Sequence, residues 1–333
     1  MTSAVVTPAA VTPALNIDNL SVHFTSRDGA IAAVREASLA VRPAECVGIV
    51  GESGSGKTQT FMAVMGLLSA GACAAGSVKF EGREILGAST SELNRLRGSK
   101  LTMIFQDPMT SLTPHMKVGI QLAEVLVNHL HMSWREAEKA ALRALERVRV
   151  PEARRRLRQY PHELSGGMRQ RVMIGMSLLC EPTLLIADEP TTALDVTVQA
   201  QIMEILRVMR AESRMAIVLI SHDLGLVAGL ADRIVVMYAG RVVESANAAD
   251  ILGRAVHPYT AELLKCVPDL RRPRLGRMPS LAGQAPSAGD PETGCAFAPR
   301  CPLARERCRS ERPVLRAIGG AAHQAACHYP LPA

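Results

Sequence analysis

The sequence predicts an α/β fold: a parallel sheet covered on both faces, a helical insertion, and a small loop-rich C-terminal extension. Three observations lead there. Short apolar strands alternate with helical stretches along residues 46–68 and 166–220, the pattern that buries a parallel sheet between helices. The intervening stretch 118–150 is helical by periodicity. Beyond about Val267 proline, glycine and arginine rise and periodicity disappears.

Taken in order, Met1 to Ala14 has no basic start and no long apolar stretch, so it reads as a short disordered leader and not a secretion signal. Leu15 to Phe24 and Ala30 to Val41 read as strands. Cys46 to Val50 is a short apolar strand that runs into a glycine-rich turn, and a helix follows from Lys57 to about Leu68. Ser77 to Glu84 and Leu101 to Phe105 read as further strands. In the helical block Ser133 stands as an N-cap before Trp134-Arg135-Glu136, and the block ends at Pro151. A helix from Gly166 to Cys180, a strand from Thr183 to Ala187, a helix from Thr197 to Ala211 and a strand from Met215 to Ile220 complete the series. The expected division is a leader 1–14, a main domain 15–266 with a helical subdomain at about 107–165, and an extension 267–333.

Hydrophobic residues at 48 % and charged ones at 21 % describe an ordinary globular chain. Aromatics at 3 % leave the core to Ala, Leu, Val, Ile and Met. No apolar run approaches the roughly 20 residues needed to cross a bilayer, so a soluble or peripheral protein on the cytoplasmic side is expected. The net charge is +7, but ten arginines against four acids between Arg271 and Arg316 account for nearly all of it. The main domain therefore carries no nucleic-acid signature. Eight cysteines in such a chain argue against structural disulfides. Cys46, Cys73, Cys180 and Cys266 are isolated among apolar neighbours and read as small buried side chains.

Gly51-Glu52-Ser53-Gly54-Ser55-Gly56-Lys57-Thr58 fits the pattern G-x-x-x-x-G-K-S/T between a strand and a helix. Glycines let backbone N–H groups wrap phosphates, and the helix N-terminus adds a favourable field. Lys57 can reach the β- and γ-phosphates, and the Thr58 hydroxyl can bind Mg²⁺. Gly51, Ser53, Gly54, Ser55, Gly56, Lys57, Thr58 and the following Gln59 are the candidate nucleotide contacts. Leu184-Leu185-Ile186-Ala187-Asp188-Glu189 is an apolar strand ending in two carboxylates. Beside a phosphate loop, Asp188 would support Mg²⁺ and Glu189 would polarise the attacking water as general base.

Between these two motifs lies Leu164-Ser165-Gly166-Gly167-Met168-Arg169-Gln170, which resembles the LSGGQ signature of ABC ATPases. Met168 replaces the glutamine, a departure common in the peptide-importer branch. The resemblance extends to Gln106 (the Q-loop glutamine, on Mg²⁺), Thr192-Ala193-Leu194-Asp195 (the D-loop) and His222 (the switch histidine). It implies a P-loop cassette with an antiparallel β subdomain and an inserted helical subdomain. It also implies ATP held between Lys57 of one subunit and Ser165, Gly166 and Gly167 of another, with Asp195 at the seam. Phe24 is the nearest aromatic that could stack on adenine, or it is a core residue of its strand. Phe105-Gln106-Asp107-Pro108-Met109-Thr110, Gln159-Tyr160-Pro161-His162-Glu163 and His257-Pro258-Tyr259-Thr260 narrow the resemblance to the D-type ATPase of oligopeptide and dipeptide permeases.

That family implies a second ATPase subunit in a heterodimer, two integral-membrane permease subunits and an extracytoplasmic peptide-binding protein, with the ATPase at the cytoplasmic face of the inner membrane. Importers of nickel or glutathione share nearly all these motifs and remain the alternative. Chromosome-maintenance ATPases place a long coiled coil between the two motifs, and here the gap from Lys57 to Ser165 is 108 residues. Finally, Cys295, Cys301, Cys308 and Cys327 cluster in the extension. Four thiolates suit a 4Fe–4S cluster or Zn²⁺, with unligated thiols as the remaining alternative, and the wide spacing favours the bulkier group. Some members of the resembled family carry such a cluster. His323 and His328 flank Cys327 as substitute ligands.

Overall fold

The computed structural model describes residues 12–26, 29–107, 111–192, 194–266, 281–290, 293–319 and 322–332. Most of the expected leader, Pro108 to Thr110, Ala193 and the first part of the extension lie outside these.

The centre is a sheet whose five parallel strands are β3 (Cys46–Val50), β6 (Leu101–Ile104), β7 (Leu184–Asp188), β8 (Ala216–Ser221) and β9 (Arg233–Tyr238), in the order β6-β7-β8-β3-β9. Every residue of β3, β7 and β8 is buried, as expected of strands covered on both faces. Alternate residues serve two separate cores. Val47, Ile49, Ile186 and Val218 face one core, while Val50, Leu185, Ala187 and Leu219 face the other. At Gly48 the sheet comes close to the helix that carries Val227. A Cβ there would lie 2.0 Å from Val227 Cγ1, so only glycine fits.

The first core is roofed by a second, antiparallel sheet formed by β1 (Leu15–Ser26), β2 (Gly29–Val41), β4 (Ala72–Phe80) and β5 (Arg83–Glu84). The expected single strand Ser77 to Glu84 is thus a hairpin broken at Glu81-Gly82, both in left-handed backbone. Phe24 is half-buried on β1 and packs against this core. Helix α1 (Lys57–Met65) lies between the sheets and stops short of Leu68, because Gly66 (φ 62°) closes it in a left-handed cap. Helix α2 (Thr90–Leu96), not expected, starts at a Ser89–Glu92 capping box.

The second core is covered by helices. Between β6 and β7 come α3 (Val118–Leu130), α4 (Trp134–Arg147), the short α5 (Ala153–Arg156) and α6 (Gly166–Ser177). The periodic block 118–150 divides at His131 (φ 53°), and α4 begins on the Ser133–Glu136 capping box. α7 (Val196–Ser213) and α8 (Leu224–Ala228) follow. No described helix is long and apolar enough to cross a membrane.

The chain then runs through β10 (Arg241–Asn247), α9 (Ala248–Arg254) and α10 (Pro258–Lys265) into α11 (Glu306–Ser310), β11 (Arg316–Ala317) and β12 (Gln324–Ala325). β12 pairs with β10, so the extension prolongs the central sheet instead of hanging from it. The isolated cysteines correct one expectation. Cys46 is buried, but Cys73 is exposed on β4, and Cys180 and Cys266 are only partly covered.

Candidate functional site

Register brings the chemistry to one edge. Val50 lies beside Ser221, Ile220 beside Asp188, and Ile104 beside Ala187. The residues that leave these strand ends are therefore neighbours: the loop 51–58 after β3, Glu189 after β7, His222 after β8 and Gln106 after β6.

The loop needs its glycines. A Cβ at Gly51 would lie 2.2 Å from the Met237 carbonyl oxygen, and Gly56 adopts φ 94° at the start of α1. Lys57 is 6 % exposed. Its ammonium donates to the carbonyl oxygens of Gly51 (2.7 Å) and Glu52 (2.8 Å) and to Ser55 Oγ (3.2 Å). Burial lowers the Lys57 pKa, opposed by the charges of Glu189, Asp188 and Glu52. Thr58 Oγ1 donates to Asp188 Oδ1 at 3.2 Å, so the two candidate Mg²⁺ supports are already together. Burial raises the Asp188 pKa, with the Thr58 bond pulling the other way.

Glu189 is the hub. Its backbone is left-handed (φ 46°), which turns the chain sharply at the strand end. Its carboxylate accepts from Gln106 Nε2 (2.9 Å) and Thr192 Oγ1 (2.7 Å) on one oxygen, and meets His222 Nδ1 (3.1 Å) on the other. Burial pushes its pKa up, but the His222 and Thr192 bonds with nearby positive charge outweigh it and leave the group below its ordinary value. It is a carboxylate at neutral pH. Three separately expected residues are thus brought together, with Gln106 and His222 each bonded to Glu189. Thr192, expected only as part of the D-loop, is a fourth member. Its position three residues after Glu189 was the available signal.

Ser165, Gly166 and Gly167 form the tip of α6. The Ser165 hydroxyl accepts from Met168 N–H (3.3 Å), and the tip is largely exposed at a helix N-terminus, a position that favours anions. The tip is not independent of the acid pair: buried Gln170 donates to the Pro190 carbonyl, one residue past Glu189 (2.6 Å). Asp195 caps α7 through Val198 N–H (2.9 Å) and is exposed.

In the extension, Cys295, Cys301, Cys308 and Cys327 line one small cavity of about 20 Å³ with Phe297, Leu303 and Tyr329. All four are free thiols. Burial raises the Cys295 and Cys301 thiols and takes Cys327 up to about 11. Among the described residues no three His, Cys, Asp or Glu stand close enough to share one metal ion. The donor set suits a thiolate-ligated group, while the cavity has room for about one water, so such a group would have to spread the turn. The histidine ligands expected beside Cys327 are engaged elsewhere. His323 Nε2 meets buried Glu244 at 2.7 Å, and His328 Nε2 meets the Glu311 carbonyl at 2.9 Å.

A phosphate loop after β3, an acid pair at the end of β7 (two strands away in the sheet), a switch histidine after the intervening β8 and a signature helix in one α/β cassette define an ABC-type ATPase. Comparison with known proteins agrees. Residues 34–192 match the family model of ABC transporters, and 243–308 match that of the oligopeptide/dipeptide transporter C-terminal region. The oligopeptide transport ATP-binding protein OppD of Escherichia coli is 53 % identical over 300 residues, covering 90 % of this chain and 89 % of the relative. The dipeptide transport ATP-binding protein DppD of Escherichia coli is 47 % identical over 318 residues, covering 95 % and 97 %. Among solved structures, a dimeric ATP-binding cassette bound to ADP and Pi aligns with TM-score 0.64 and 27 % identity, over 70 % of this chain and 98 % of that one. The chain belongs to the ATP-binding subunits of the oligopeptide and dipeptide ABC transporter family.

Proposed function

We propose that this chain binds and hydrolyses ATP to drive import of oligopeptides or dipeptides through membrane permease partners. The carrying observation is the joint presence of an intact hydrolytic constellation around Glu189 and a C-terminal region of the peptide-transporter type. The companion ATPase subunit, two integral-membrane subunits and an extracytoplasmic peptide-binding protein are part of this reading. So is a peripheral position on the cytoplasmic face of the membrane. Exposed Phe105 (37 %), Ile120 (45 %) and Trp134 (51 %) on and beside the helical insertion, about 107–165, support its role as the docking element.

The chain's residues divide the work. The loop N–H groups and Lys57 hold the β- and γ-phosphates; Gln59 follows on α1. Thr58, Asp188 and Gln106 would hold Mg²⁺, which neutralises charge building on the phosphate oxygens. Glu189 takes a proton from the water that attacks the γ-phosphorus as the bond to ADP breaks, and His222 orients Glu189 and reaches the γ-phosphate. Ser165, Gly166 and Gly167 of the companion subunit close the far side of the ATP. Because ATP then contacts both subunits, it favours the closed dimer, and loss of phosphate reopens it.

The test is transport. With its permease and binding-protein partners in vesicles, the chain should support ATP-dependent uptake of a labelled short peptide. Uptake of Ni²⁺ or glutathione without peptide would overturn the assignment.

For the four thiols of the extension we propose a 4Fe–4S cluster in preference to Zn²⁺. The cluster would hold the extension's shape as cross-links between segments. Ligation must displace protons from thiols whose pKa values burial has raised, so affinity should increase with pH. Anaerobic purification is expected to give a brown protein with about four irons and four sulfides per chain. A colourless protein with one zinc would contradict it.

A further inference from the structure

The extension reaches into the phosphate loop through one side chain. Arg300 and Glu52 form a two-pronged ion pair across 248 residues, with Nη1 to Oε2 at 2.7 Å and Nη2 to Oε1 at 3.0 Å. The Arg300 side chain is 4 % exposed. Its Nε donates to the Ala282 carbonyl (2.8 Å), Nη1 also donates to Tyr238 Oη (3.2 Å), and the guanidinium lies 5.8 Å from the Tyr238 ring centre. The turn that carries it is closed by Arg300 N–H to the Phe297 carbonyl (3.0 Å), and buried Phe297 packs on Tyr238 and Tyr259.

Glu52 is the second residue of the phosphate loop, and every polar part of it is held. Its N–H donates to Tyr259 Oη (2.9 Å), its carbonyl accepts from Lys57, and its carboxylate accepts from Arg300. The extension also lines the loop's flank. Ala288 and Cys295 face Gly54, Ala33 and Gly240 across a cavity of about 400 Å³.

An acid inside a loop that must receive a polyphosphate is an electrostatic liability. We propose that Arg300 is a positioning residue for the nucleotide site, cancelling the Glu52 charge and fixing the loop's shape, so that the C-terminal extension is a working part of ATP binding. This rests on the ATPase reading above. Arg300 touches no reacting atom. It acts through Glu52, and the two effects, charge and shape, separate experimentally.

The test uses the full chain and MgATP, with equilibrium binding and steady-state ATPase on the same preparations. Arg300→Ala should weaken MgATP binding on the order of tenfold and raise KM more than it lowers kcat. Arg300→Lys, which keeps charge but not the fork, should fall between. Adding Glu52→Gln to Arg300→Ala should restore most of the affinity, because the unpaired acid is gone. Glu52→Gln alone should bind MgATP at least as tightly as wild type, a result that does not depend on how well the Arg300 variants fold. A folded Arg300→Ala chain with wild-type affinity would overturn the proposal. So would a double variant as weak as Arg300→Ala, or a Glu52→Gln chain that binds more weakly than wild type. Failure of the wild type to bind MgATP would contradict the ATPase reading itself, whereas wild-type binding with an indifferent Arg300→Ala contradicts this proposal alone.

Discussion

Glu189→Gln is expected to cut the ATPase rate by on the order of 10²–10⁴-fold while MgATP binding stays within a few-fold of wild type. The amide cannot take the water's proton, so the base is lost. The surrounding bonds can nevertheless survive. The amide oxygen can accept from Gln106 and Thr192, and the amide NH₂ can donate to His222 Nδ1 in the tautomer that leaves this nitrogen without a proton. Size and contacts are kept and only basicity goes. Phosphate release and filter binding, measured on one preparation, check both halves. Hydrolysis at the wild-type rate would remove Glu189 from its assigned role.

Lys57→Ala should instead lose binding. Charge-assisted hydrogen bonds contribute about 1.5–3 kcal/mol each, which corresponds to a loss of affinity of roughly tenfold to more than a hundredfold. The ammonium is held by two carbonyls and Ser55 Oγ, aligned along the loop it serves. Removing it leaves the Gly51 carbonyl and Ser55 Oγ without this donor, while the Glu52 carbonyl keeps only Ser55 N–H, so the loop's shape suffers together with its charge. Lys57→Arg should not rescue, because a planar fork cannot occupy a site shaped for a compact ammonium. Titration with MgATP distinguishes this variant from Glu189→Gln: one fails to bind, the other binds and stalls.

The contrast between these residues and Arg300 shows what the sequence could reveal. The phosphate loop was legible because its glycines, lysine and threonine must follow one another in a few residues at a strand end. Glu189, Gln106 and His222 were legible through the order of the family's motifs. Their convergence on one carboxylate was not, since it depends on the left-handed backbone at Glu189 and on strand register. The fold followed the same rule. The apolar strands of the central sheet and the helix capped at Ser133 were readable, whereas α2 was not, and β11 and β12, two residues each, take their form from pairing, β12 with β10 and β11 with β12. The Arg300–Glu52 pair is separated by 248 residues and leaves no local pattern. The shorter α1 turned on Gly66 adopting a left-handed cap, which periodicity does not reveal.

A structure of the Glu189→Gln chain with MgATP and its companion ATPase subunit is the most direct measurement. The triphosphate should lie in the loop 51–58 against Lys57, with the companion's signature helix closing its other side, and this chain's Ser165–Gly167 tip should face the companion's nucleotide. A complex in which the two surfaces face apart, or in which nucleotide occupies some other cavity, would contradict the account.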